Sequence, residues 1–241
     1  MRLLPVARMI LLFVGIMALI ACGSSKSGNN SSSATAVTAQ SLLSNASTRF
    51  GQVNSLHFVL QIQGNVALDQ ANTLKLHGAE GDLARPDSAQ AKADVTFLGA
   101  TISLKFVSIG KDQYITNPIT GAWETAPANL GYDPAVLFDG NQGITHVLGV
   151  LQNPTIVGSE TINGEDAYHV TATVTKADAQ PIAAGALTSA TPAIDLWISK
   201  KSFDIVKLTL NDAGAAGAST TTWTLLISKQ NEPVTIQRPN V

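Results

Sequence analysis

Leu56-His57-Phe58-Val59-Leu60-Gln61-Ile62 places Leu56, Phe58, Leu60 and Ile62 on one side of an extended chain, with His57 and Gln61 on the other. Period two over seven residues predicts a strand with one buried face. Working outward, the preceding segment changes period. Ala39, Leu43, Ala46 and Phe50 are spaced by four, three and four, which predicts a helix between Val37 and Val53 that Gly51 can end. Downstream, strand-like pieces recur at Val66–Asp69, Thr73–His77, Ala89–Phe97, Thr101–Ile109 and Gln113–Thr116. Gly64-Asn65, Arg85-Pro86-Asp87 and Gly99 read as turns between them, and Asn117-Pro118-Ile119-Thr120-Gly121 as a turn leading to Trp123. Connections this short favour antiparallel neighbours over helical crossovers.

The middle of the chain differs. Asp133-Pro134 suits a helix start, with Asp as cap and Pro at the first position, followed by Val136, Leu137 and Phe138 until Gly140 breaks the run. A second short helix is expected from Ile144 to Leu151, stopped by Asn153-Pro154. Both are apolar and poor in charge, which makes them candidates for a mobile cover over the sheet. Strand patterns then return at Thr155–Thr161, Ala167–Thr175, Ala193–Ser199, Asp204–Leu210, Thr221–Ser228 and Val234–Gln237. A small helix at Ala177–Leu187 is weakened by Pro181 and Gly185. About ten strands and two or three helices give an α+β chain, a long antiparallel sheet with helices against one face.

The N-terminus carries a different message. Arg2 and Arg8, the apolar run Met9 to Ile20 and the small residues before Cys22 have the layout of a bacterial secretory signal. The run is short for a membrane span, which needs roughly 20 apolar residues. Leu19-Ile20-Ala21-Cys22 looks like a lipobox, which makes Cys22 the first residue of the mature chain and the site of lipid attachment. An uncleaved anchor ending in an ordinary buried thiol is the alternative; the polar tether that begins at Gly23-Ser-Ser-Lys-Ser offers no apolar surface to bury one. The expected organisation is a signal peptide over 1–21, a tether over 22–35 and one domain over 36–241, outside the cytoplasm and anchored to the bacterial cell membrane. Several acyl chains, at about 0.8 kcal/mol per buried CH₂, hold such a domain durably.

Composition excludes several function classes. Without Arg2 and Arg8 the mature chain has 13 basic against 17 acidic residues, and no basic run interleaves with aromatics, so nucleic acid is not an expected partner. With one cysteine, no internal disulfide can form. His57, His77, His146 and His169 have no partner at metal-ligand spacing, and no nucleophile elbow, P-loop or dinucleotide fingerprint occurs. Glu165-Asp166 and the pair Asp82 and Asp87 fall at turns, where carboxylates are commonplace. No cofactor, metal or catalytic constellation is expected, and the chain reads as a non-enzyme.

Tyr132-Asp133-Pro134-Ala135 with Asp139 and Gly143-Ile144, then Val150-Leu151-Gln152-Asn153-Pro154, resembles the LppX/LprG family of mycobacterial envelope lipoproteins. Gly158-Ser-Glu-Thr-Ile-Asn-Gly164 with His169-Val170-Thr171, Leu196-Trp197-Ile198 and the ending Pro233-Val234-Thr235 to Pro239 fit the same order and spacing. The resemblance implies a strongly curved antiparallel β half-barrel, related in fold to the LolA/LolB carriers, with helices across the concave face enclosing an apolar cavity. It also implies binding of multi-acyl phospholipids or glycolipids and their transfer through the envelope, with a membrane lipid transporter as a further partner. An envelope lipid sensor or assembly factor acting through a protein partner is the alternative. Candidate cavity residues are Leu56, Phe58, Leu60 and Ile62 on the strand and Leu137, Phe138, Ile144, Val147, Leu148 and Leu151 in the cover. For the strand residues a solid core fits the pattern equally well, because an inner face looks the same whether it meets helices or lipid. The Ala/Gly-rich stretches Ala183–Ala190 and Ala213–Ala218 set this chain apart from the pattern.

Overall fold

Thr38 opens the first regular element with reciprocal bonds: its hydroxyl accepts from the Ser41 amide, and the Ser41 hydroxyl accepts from the Thr38 amide. This capping box starts helix α1, Ala39–Gly51, which buries Leu42, Leu43, Ala46 and Phe50 along one side. The protein is described by a computed structural model that covers residues 37–69, 71–127, 134–214 and 220–241. The expected signal peptide, the tether, Cys22, the Asp133 cap and most of Ala213–Ala218 lie outside the described residues.

From α1 the chain passes into β1 (Ser55–Ala67), β2 (Leu74–Ala84), β3 (Ser88–Phe97), β4 (Ala100–Ile109), β5 (Asp112–Thr116) and β6 (Trp123–Thr125). A 3₁₀ turn (Pro134–Phe138) and helix α2 (Ile144–Val150) follow, then β7 (Gln152–Ile162) and β8 (Glu165–Thr173). A single helical turn, α3 (Lys176–Ala179), precedes β9 (Ala193–Ser199), β10 (Ile205–Asp212) and β11 (Thr221–Ser228). The strands form one eleven-stranded antiparallel sheet in the order β6-β5-β4-β3-β2-β1-β11-β10-β9-β8-β7. The sheet is not closed, and its curvature makes a half-barrel. Its upper rim carries the β1–β2, β3–β4 and β5–β6 connections, and its lower rim the β2–β3, β4–β5, β7–β8 and β9–β10 turns.

Several expectations from the sequence are corrected. Gly64-Asn65 is a bend and not a turn: β1 runs through it with a register irregularity between Gln61 and Val66, and Gly64 takes φ +125°. β2 extends well past His77. A bulge between Leu76 and Gly78 inserts one residue against β3, so the inward positions switch from Leu74 and Leu76 to Ala79, Gly81 and Leu83. That switch of phase hid half of the strand. The Val136–Phe138 run is a 3₁₀ turn, and the Ala177–Leu187 helix shrinks to α3 because Pro181 and Gly185 interrupt it.

Val234–Gln237 is not a strand. β1 and β11 already have neighbours on both sides, so the sheet offers the tail no pairing position near β11. The tail is instead tied to the start of β1, where the Asn231 amide donates to Ser55 O at 2.8 Å and the Ser55 hydroxyl to Glu232 O at 2.6 Å. It reaches the start of β5, where Arg238 pairs with Asp112 and lies 5.7 Å from the Tyr114 ring. About seven extended residues cover the four strand spacings between those points.

The inner residues of the strands and the buried side of α1 form one apolar core. α2 packs antiparallel to α1, and the Ser47 hydroxyl donates to Thr145 O. Arg49 at the end of α1 holds Asp204, in the β9–β10 turn, at 2.7 Å. That hydrogen bond keeps the Arg49 pKa above its ordinary value. No helix among the described residues is long and apolar enough to cross a membrane.

Candidate functional site

On the inner face, the alternation of β1 aims Phe58, Leu60 and Ile62 at the concavity, and Val66 and Leu68 continue that wall past the bend. The β2 bulge brings Ala79 to the same face, where it pairs in register with Ala93 of β3, which in turn faces Leu104 of β4. Ala91 pairs with Phe106 one row lower. Leu208, Leu210, Trp223 and Leu225 supply the other wall from β10 and β11, while Leu137, Ile144 and residues 182–184 close over it. All these linings are alkyl or aromatic. They leave an apolar pocket of about 160 Å³, in the size class of a cavity that admits one benzene ring. Leu60, Ala79, Ala91, Ala93 and Phe106 face inward yet are only half-buried, so the pocket opens to solvent over β2–β4.

The ten residues singled out from the sequence divide evenly. Phe58, Leu60, Ile62, Leu137 and Ile144 line the pocket. Leu56, Phe138, Val147 and Leu148 are buried in the core behind it, with Leu151 packed against that core. Phe138 meets Phe50 with ring centroids 5.8 Å apart, and α1 fills the lower part of the trough. The small residues Ala79, Ala91 and Ala93 were missed, because alanine carries little hydropathic signal. The parity that Ala91 and Ala93 share with Val95 in β3 was the available clue.

The cover is held at both ends. Arg85, at the end of β2, donates to Val53 O at 2.7 Å and to Phe138 O at 3.1 Å, with its guanidinium 4.5 Å from the Phe138 ring. Burial lowers its pKa. His146 of α2 contacts Asp178 of α3 at 3.0 Å. The Asp178 pKa lies below the ordinary value, first through the Thr175 hydroxyl and then through His146.

Asp212, at the top of β10, anchors the segment behind residues 182–184. It is only 2% exposed and accepts from the Thr188 amide and hydroxyl, the Ser189 amide and the Gly214 amide. Burial pushes its pKa up, and these four donors outweigh burial, so it lies below the ordinary aspartate value. Asp212→Asn is expected to cost about 1–3 kcal/mol at neutral pH. A lowered pKa contributes stability that is present above the unfolded-state value and lost as pH falls through the folded-state value. The gap in urea midpoint between wild type and Asp212→Asn should therefore narrow as pH drops below about 4; a gap that widens on acidification would refute this account.

The outer face of the sheet carries His57 and His169. His57 lies between Asp82 at 2.8 Å and Glu80 at 3.4 Å, and His169 between Asp195 at 2.9 Å and Glu160 at 3.3 Å, stacked on Trp197. Asp82 also accepts from Gln90, Asp166 from Thr161 and Glu165 from Ser199. Among the described residues no group of His, Cys, Asp and Glu is arranged to hold a metal ion.

Known proteins share this architecture. The crystal structure of LprF from Mycobacterium bovis superposes with a TM-score of 0.68 at 24% identity, covering 83% of this chain and 96% of that one. LppX from Mycobacterium tuberculosis gives 0.61 at 20% identity over 83% and 98%. In sequence, the lipoarabinomannan carrier protein LprG of Mycobacterium tuberculosis is 25% identical over 233 residues, 96% of this chain and 94% of that protein. The family model for LppX_LprAFG lipoproteins matches residues 38–236, nearly the whole described domain. The chain belongs to the LppX_LprAFG lipoprotein family.

Proposed function

We propose that this protein binds lipids with several acyl chains in the half-barrel and carries them through the cell envelope, held at the membrane by a lipid on Cys22. The observation that carries the reading is the pocket wall: its linings come from strands, cover and the 182–184 segment, and among the described residues all are apolar. Such a surface offers each methylene about 0.8 kcal/mol on leaving water. A pocket of about 160 Å³ takes part of one chain. Its open side over β2–β4 is where further chain length extends, along a floor of alanines that leaves room above the sheet. The relative LprG is named as a lipoarabinomannan carrier, which supports a glycolipid among the ligands and a carrier over an enzyme.

The test is mass spectrometry of organic extracts from residues 37–241 purified from a lipid-containing host. This stretch is a compact unit with its own core. Phospholipid or glycolipid near one equivalent per chain is expected. A folded protein that is empty from every lipid-containing source would count against the carrier.

A further inference from the structure

The most exposed large apolar side chains among the described residues are Leu98, 81% exposed, and Ile119, 82% exposed. Single exposed leucines are ordinary; the backbone makes this one unusual. Leu98 and Gly99 form the two-residue connection between β3 and β4, with φ of 48° and 84°. Positive φ at both central positions is the type I′ hairpin, which favours Asn-Gly and disfavours a bulky side chain at the first place. Most other non-glycine residues with positive φ are asparagines, and Phe203, the other bulky one, is packed against the core. Leu98 thus stands against both solvation and backbone preference, and at 81% exposure little packing among the described residues compensates it. Conflicts of this kind concentrate where function demands them.

Both tips point the same way. β3–β4 and β5–β6 turn at the upper rim, and their strands form the wing whose inner face, with Ala93, Leu104 and Ile115, lines the pocket. Neither tip is charged: no Asp, Glu, Lys or Arg lies between Asp94 and Lys105, or between Asp112 and Glu124.

We propose that the upper rim is a membrane-docking surface: Leu98 and Ile119 insert into the lipid interface and bring the open side of the pocket to the acyl layer. The occupant is a bilayer and not a protein groove, because two separate, uncharged, protruding tips match a soft planar apolar phase. The proposal extends the carrier reading, and the two are measured separately.

Flotation of residues 37–241 with phosphatidylcholine vesicles tests it. Wild type should partition onto vesicles, and Leu98→Asn with Ile119→Ser should lose about tenfold or more of that partition. Leu98→Asn alone should keep or raise thermal stability, because Asn suits the turn, while still weakening partition; a merely structural leucine would not show those opposite signs. Val157→Ser, on the distant edge strand β7 and 55% exposed, should change nothing. Binding that disappears at about 0.5 M salt would identify surface charge as the cause and overturn apolar insertion. Equal partition of the tip variant and wild type, or no partition of either, would also overturn it, including the case in which wild type self-associates through the tips. Co-purified lipid content reports on the pocket alone, so an empty pocket with intact vesicle binding would remove the carrier reading and leave docking standing.

Discussion

Ala93→Trp is expected to strip the protein of co-purified lipid while leaving it folded. Ala93 lies mid-strand in β3, faces inward between Ala79 and Leu104, and is half-buried at the open side of the pocket. Tryptophan is well tolerated in strands, and an indole here projects into space the fold already leaves open. Lipid content should fall to about a tenth of wild type or less, because the displaced methylenes each forfeit about 0.8 kcal/mol. The melting temperature should move by only a few degrees, a shift of about 1 kcal/mol. Unchanged lipid content in a folded Ala93→Trp protein would show that the chains lie elsewhere. Val147→Trp and Leu148→Trp make poorer probes. Both residues are buried in packed core, where overpacking costs about 1–3 kcal/mol and lipid would be lost through unfolding.

Gly81→Ala should produce the largest loss of stability of any single-methyl addition in the sheet. A Cβ at Gly81 would stand 2.0 Å from Gln90 O and 2.7 Å from Ala91 Cα, both backbone atoms of the neighbouring strand. No side-chain rotation relieves that, so β2 and β3 must separate and lose ladder bonds beside the pocket floor. A cost above about 4 kcal/mol is expected, a large share of the margin of an ordinary domain, which is about 5–15 kcal/mol. Gly51→Ala is the control: nothing lies within 4 Å of its added methyl at the end of α1, and it should be neutral or stabilising by up to about 1 kcal/mol. Urea midpoints of the two variants decide the matter, and a Gly81→Ala protein within about 1 kcal/mol of wild type would contradict this geometry.

What could be read before the structure follows from how each element is buried. Ala193–Ser199 and Thr221–Ser228 were legible to the residue, since β11 keeps unbroken alternation and β9 sets Ile194, Leu196 and Ile198 on one face against the core. β2 was not, because its bulge reverses the alternation at Gly78. Val234–Gln237 has strand-like residues but no free neighbour to pair with, and neighbours are a property of the whole sheet.

The candidate site divides along the same line. Sequence alone determined that this is an α+β chain with a long antiparallel sheet, apolar on one face, and a short apolar cover; local periodicity and residue chemistry suffice for that. Only tertiary structure decided which inner residues meet a pocket and which meet protein. α1 fills the lower trough against Leu56 and Phe138, while the alanines of β2 and β3 leave the trough above Phe58, Leu60 and Ile62 open. Both environments are lined by apolar side chains, so the pattern of hydropathy is the same in both, and the difference lies in which side chains stand opposite across the sheet.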